Sequence, residues 1–184
     1  MEYPLSALAK AEAEKMYLMY HQYDLDMIMN YQMLEMYYGG DYEAGCDMQV
    51  AVWSVDLAEA ARSIQMKYLN TSGTGIDGFL KAVQVDITAQ MPNFDNSFEM
   101  PDENTGIYTF NKCFGITMME AVGGSDEQIN KTCELDPPAI GNSCDMYSRG
   151  LVDKKIHLDI IKLPPRTCKD EICCRWKFTY VDKA

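Results

Sequence analysis

Hydrophobic and polar positions change their spacing once along this chain, near Pro92: before it they recur at helical intervals, and after it they mostly alternate. From Leu5 to about Tyr23, the residues Leu5, Leu8, Ala9, Ala13, Met16, Met19, Tyr20 and Tyr23 share one face, with Lys10, Glu14 and Leu18 elsewhere. That spacing predicts an amphipathic helix. The run DLDMIMNYQMLEMYYGG is apolar almost all round and stops at Gly39-Gly40, which predicts an interior helix. Asp41 and Asp56 are suited to N-cap two further helices, the second carrying Leu57, Ala60, Ala61, Ile64 and Tyr68 in one stripe. After the loop NTSGTG, Ile76, Phe79, Leu80 and Val83 define one side of a short helix.

Beyond Pro92, SFEMPDENTGIYTFNKC reads as two short strands joined by PDENTG, with Tyr108 and Phe110 on one face of the second. GITMMEAVGG predicts a short helix closed by glycines, and ELDPPAIGNSCDMYSRG a proline-broken connection leading into another. In KKIHLDIIKLPP, Ile156, Leu158 and Ile160 alternate with His157, Asp159 and Ile161. CCRWKFTYV alternates more cleanly, and the two runs predict an antiparallel hairpin across PPRTCKDEI. A period of two turns Cys174, Trp176, Phe178 and Tyr180 to the core, and Cys173, Arg175, Lys177 and Thr179 to solvent. The expected fold is α+β: one domain over residues 1–184, helical over 1–90 and sheet-containing over 91–184, with the helical half packed on a small antiparallel sheet.

Composition narrows the function. At 184 residues and 47% hydrophobic, the chain holds material for one core. A net charge of -12 without a Lys/Arg cluster repels a phosphate backbone and an anionic membrane surface, so neither nucleic acid nor membrane is an expected partner. The opening MEYPLSALAKAEAEK lacks the basic start and apolar core of a signal peptide, which makes the cytoplasm the expected compartment. The cysteine count, 7, is odd, and the chain is large enough to fold without staples, so free thiols or metal ligands are expected rather than disulfides. Only Cys46 precedes Cys113, which places any thiol chemistry in the C-terminal half.

Candidate chemistry is sparse. With 2 histidines and no G-x-S-x-G or phosphate-cradling glycine loop, neither a standard hydrolase triad nor a nucleotide enzyme is expected. His157 reads as a solvated or hydrogen-bonded strand histidine. No C-x-x-C pair occurs, so a metal site would have to be assembled by the fold, and Cys174 under Trp176 reads equally well as a small core residue. Glu12, Asp24 and Glu35 lie on or beside helices rich in methionine and tyrosine. A carboxylate held there would have the raised pKa of a general acid, and partial exposure at a helix edge is the plainer account. The 14 methionines and 12 tyrosines suit an adaptable core or a pocket for a flat apolar ligand.

Four stretches, YGGDYEAGCDMQVAVW, MPDENTGIYTFNKC, TCELDPP and IKLPPRTCKDEICCRWKF, together resemble a family of uncharacterised bacterial and archaeal cytosolic proteins. That family is similar to the small-molecule-binding domains of the bacteriochlorophyll 4-vinyl reductase type and, more loosely, to the L-2-amino-thiazoline-4-carboxylate hydrolases. The resemblance covers the chain from about residue 24 onward and implies a site lined by cysteines. It implies Cys113, Cys133 and Cys174 as metal ligands for a transition metal such as zinc or iron, and Asp24, Glu35 and Trp176 as ligand-contacting residues. Phe114 stands where the family tends to have proline and Glu134 where it has histidine, so Glu134, Cys173 or Cys144 would supply a fourth ligand. The expectation is a cytosolic small-molecule-binding domain, its pocket between the first-half helices and the sheet. The alternative is a hydrolase opening a small sulfur or nitrogen heterocycle with Cys133 and Glu134 at the scissile bond. A third is a subunit that works only with a partner chain. Cys113, Cys133 and Cys174 are expected to converge, with Cys173 apart; oligomeric state is left open.

Overall fold

Strand β4 (Cys174–Asp182), whose side chains alternate strongly, is one of the two interior strands of a four-stranded antiparallel sheet. The computed structural model describes residues 7, 9–11, 13, 14, 44, 55–69, 73–84, 95–121, 123–134, 136–168 and 170–183. The chain divides into two compact units, residues 1–71 and 72–184. The class is α+β, with every described strand in the C-terminal half.

In the first unit, helix α1 (Val55–Leu69) buries Ile64 and exposes Met66 and Lys67, in keeping with the stripe read from the sequence. Asp56 lies just inside this helix rather than at its cap. The described positions between 7 and 14 are helical, but Ala11 is the buried one while Ala9 and Ala13 are exposed. The other residues of the predicted face lie outside the described residues. Glu14 accepts Lys67 Nζ at 2.8 Å on both carboxylate oxygens and also the Tyr68 hydroxyl. The all-apolar run holding Asp24 and Glu35 lies outside the described residues.

The second unit opens with helix α2 (Gly75–Gln84), followed by strands β1 (Asp95–Asp102) and β2 (Thr105–Lys112). Helices α3 (Phe114–Ala121), α4 (Asp126–Cys133) and α5 (Asp136–Ser148) then lead to strands β3 (Lys154–Lys162) and β4. The strand order is β1-β2-β4-β3, all antiparallel, with β3 and β4 paired as the expected hairpin. The β1–β2 turn is tighter than PDENTG suggested, because both strands run into it and only Glu103 and Asn104 remain between them.

Three stretches depart from the sequence reading. Residues 126–133 form a helix, begun by a capping box in which Ser125 Oγ accepts Gln128 N–H and the Gln128 side chain accepts Ser125 N–H. Residues 136–148 form one continuous helix rather than a broken connection, since Pro137 and Pro138 occupy its first turn, where no backbone N–H is required. Ile160 stays in register with Ile156 and Leu158, opposite Trp176, yet is 49% exposed near the end of this edge strand, just before a bulge between Ile160 and Lys162.

One sheet face carries the core. Trp176 and Phe178 are fully buried, Tyr108 stands opposite Trp176, and Phe79 of α2 meets the Phe178 ring edge-on at 4.9 Å. Helix α2 comes this close because residue 106 is glycine: a Cβ there would meet Ile76 Cγ2 at 2.5 Å and Leu80 Cδ1 at 2.9 Å. Gly75, at φ +75, turns the chain into α2 so that Ile76 N–H donates to the Tyr180 hydroxyl at 2.9 Å. Helix α5 is tied to β3 through Ser148, whose hydroxyl donates to Cys144 O and accepts Ile156 N–H. The opposite face is polar, with Arg175 paired to Glu99 and exposed His157 bonded to Asp159 at 3.1 Å.

Candidate functional site

Four cysteines from three separate stretches of the chain gather at the end of the sheet where β4 begins. Cys113 follows β2 and precedes α3, with Thr117 N–H donating to its carbonyl. Cys133 is the last residue of α4, and Cys174 is the first of β4, opposite Phe110. Cys133 and Cys174 are buried at 6% and 2% exposure, close enough for the Cys133 thiol to act on that of Cys174. Cys113 is half-buried and close enough for its charge to act on Cys174.

Cys173 belongs with them, which corrects the expectation that it faces solvent and stands apart. It is 1% exposed, its N–H donates to Phe110 O at 2.8 Å, and its thiol is directed at Asn111 O. Alternation assigns a side chain to a face; it does not say whether that face is covered. Here Arg166 and Glu120 lie near enough to act on the Cys173 thiol, and the Cys113 backbone N–H favours its thiolate.

Electrostatics at this end are dominated by desolvation. Burial pushes Cys113 up to about 11, although the N–H groups of Ile116 and Gly115 at the start of α3 favour its thiolate. Cys174 is raised by the neighbouring Cys133 thiol and then by burial, and Cys173 is raised by burial against the opposing pull of Arg166. These groups are protonated at neutral pH. The carboxyl whose charge acts on Cys113 and Cys174 is Asp136, at the start of α5, which burial lifts to about 6. Glu134, the acid singled out from the sequence, has an exposed side chain at the C-cap of α4. Asp136 lies in the same ELDPP segment, and its position at a proline-opened helix start was the available signal.

Trp176 is in the centre of the sheet, paired across to Tyr108 and Ile160, and its indole N–H has no hydrogen-bond partner among the described residues. Cys144 is buried on α5, where burial pushes it up to about 12. Cys168 is exposed. Asp24 and Glu35 lie outside the described residues. Among the described residues no group of three or more histidine, cysteine, aspartate or glutamate side chains is arranged to hold a metal ion. The Cys173 thiol is directed at a carbonyl, so the thiols are neighbours without sharing a centre.

A cleft of about 160 Å³ opens beside the thiols, lined by Glu120, Ile129, Asn130, Pro165, Arg166 and Cys168 among others. Arg166 and Glu120, paired with each other, stand between the cleft and Cys173. Ile129 lies one helical turn before Cys133 on α4, so the same helix walls the cleft and delivers a thiol. Glu171 holds the far loop in shape, accepting Lys162 Nζ and both the N–H and hydroxyl of Thr167. No protein-family model, no curated protein and no solved structure matches this chain. Among the described residues no helix is long and apolar enough to cross a membrane.

Proposed function

We propose that this chain is a small-molecule-binding protein whose ligand enters the cleft beside the cysteine cluster. The observation that carries this reading is the sharing of Arg166 and Glu120 between the cleft wall and the surroundings of Cys173. A ligand seated there meets a guanidinium, carboxylates, the Asn130 amide and the Cys168 thiol, with Cys173 near Arg166 and Glu120. The small volume restricts the ligand to a compact polar molecule, well below the usual size of drug-like sites. The resemblance to vinyl-reductase-type binding domains agrees with this reading, and the acidic charge of the chain supports a partner other than nucleic acid. The ring-opening alternative is less well supported, because Glu134, which it sets at the scissile bond, has an exposed side chain at the C-cap of α4.

Native mass spectrometry of freshly purified protein tests the proposal. The expected result is a retained non-covalent mass that disappears in Asn130→Trp, a substitution that fills the cleft from a partly exposed position. A bare wild-type mass, or a retained mass unaffected by Asn130→Trp, removes the cleft as the binding site.

A further inference from the structure

Charged side chains in the wall of the cleft are unequally matched. Glu120 and Arg166 are paired with each other, whereas Asp126 makes no ion pair among the described residues. Asp126 lies in the first turn of α4, and Ile129 and Asn130 follow it three and four residues later, so the three share one side of the helix. The cap of α4 does not engage the Asp126 side chain, because the capping box is made by Ser125 and Gln128. Ile129, Pro164 and Pro165 supply the apolar part of the lining. The volume of about 160 Å³ is close to the ~150 Å³ that holds a molecule the size of benzene.

We infer that the cleft takes a compact aliphatic amine in its protonated form, its ammonium held by Asp126 and Asn130 and its carbon chain by Ile129 and the two prolines. This ligand class rests on the binding reading above. An ammonium carries three donors and no acceptor, which suits a carboxylate and an amide carbonyl one helical turn apart. A ligand carboxylate in the same place would meet Asp126 as a like charge, and the guanidinium that could hold it is engaged with Glu120. The N-terminus of α4 favours an anion with only about half a unit charge, which the full charge of Asp126 outweighs. A net charge of -12 also raises the concentration of cations at the surface. A bare metal ion is the poorer match: among the described residues no group of acids, histidines or cysteines is arranged for one, and it would leave the isoleucine and proline surface uncovered.

The test is titration of the full chain with n-butylamine, butanoate and 1-butanol at neutral pH, followed through the amide NMR signals of α4. The amine should shift the Ile129 N–H and the Asn130 side-chain amide saturably, with an affinity that falls as salt is added, while butanoate leaves both in place. Asp126→Asn should weaken the amine by about tenfold, as expected for losing one charged hydrogen-bond partner. Glu127→Gln, which removes an exposed acid of the same turn from outside the lining, should leave its affinity unchanged. Should Asp126→Asn fail to fold, the wild-type preference for the amine over butanoate and 1-butanol decides. Equal binding of amine and alcohol, binding of butanoate alone, or equal weakening by Glu127→Gln each overturns the amine assignment. If such shifts at Ile129 also vanish in Asn130→Trp, the cleft survives as a binding site and only its ligand class is wrong. No shift with any probe overturns the assignment, and the retained-mass experiment then decides the cleft by itself.

Discussion

The two ends of strand β4 differ in what they enclose. Towards Tyr180, Phe178 and the residues Ile76, Phe79 and Leu80 of α2 bury apolar surface, and the Tyr180 hydroxyl accepts an N–H. At Cys174 the enclosed groups are titratable: Cys113, Cys173, Cys174 and Asp136 all have pKa values raised, chiefly by burial or by a neighbouring thiol. The first end gains stability from every group it buries. The second accepts desolvation of ionisable groups, and such groups concentrated beside a cleft are the physical signature of a site.

The largest expected effect breaks the first end. Phe178→Ala empties the position that Phe79 packs against and should cost about 3–5 kcal/mol, read as a fall in the urea midpoint. Little change would mean that the α2 contact contributes less than its burial implies.

The second effect sharpens the contrast at the other end. Asp136 has its folded pKa raised from 3.8 to about 6, so the unfolded chain ionises first as pH rises. Stability through this group is full below about pH 4, falls between about pH 4 and 6, and stays reduced above. Asp136→Asn removes that loss, and should stabilise the protein at pH 8 relative to pH 4 by about 2 kcal/mol compared with wild type. Paired urea melts at the two pH values check it; an unchanged pH dependence would show Asp136 to be solvated.

The smallest effect concerns the loop that bounds the cleft. Glu171 is held down to about 2, mainly by Lys162 and then by Thr167, so its contribution is present above about pH 4.5 and is lost as pH falls to about 2. Glu171→Gln should flatten the acid limb slightly and speed hydrogen exchange at the Thr167 N–H, with the core amides of β4 unaffected. Unaltered exchange at Thr167 would show that the loop is held by other contacts.

The sequence alone determined the hairpin, the burial of Trp176 and Phe178, and the face of α2, because in each an apolar period is reinforced by large side chains whose exposure is expensive. It also contained the start of α4, through the Ser125–Gln128 capping box, although the short polar helix after it has too weak an apolar period to announce itself. Of the site, it offered the residue types and one strand face. That Cys133 lies near Cys174, that Asp136 rather than the neighbouring Glu134 stands by the thiols, and that Cys173 is covered were decided only in three dimensions. A period fixes direction relative to an element's own axis, whereas these contacts depend on which distant segment arrives on that side, and a thiol is small enough to be buried or exposed at little cost either way.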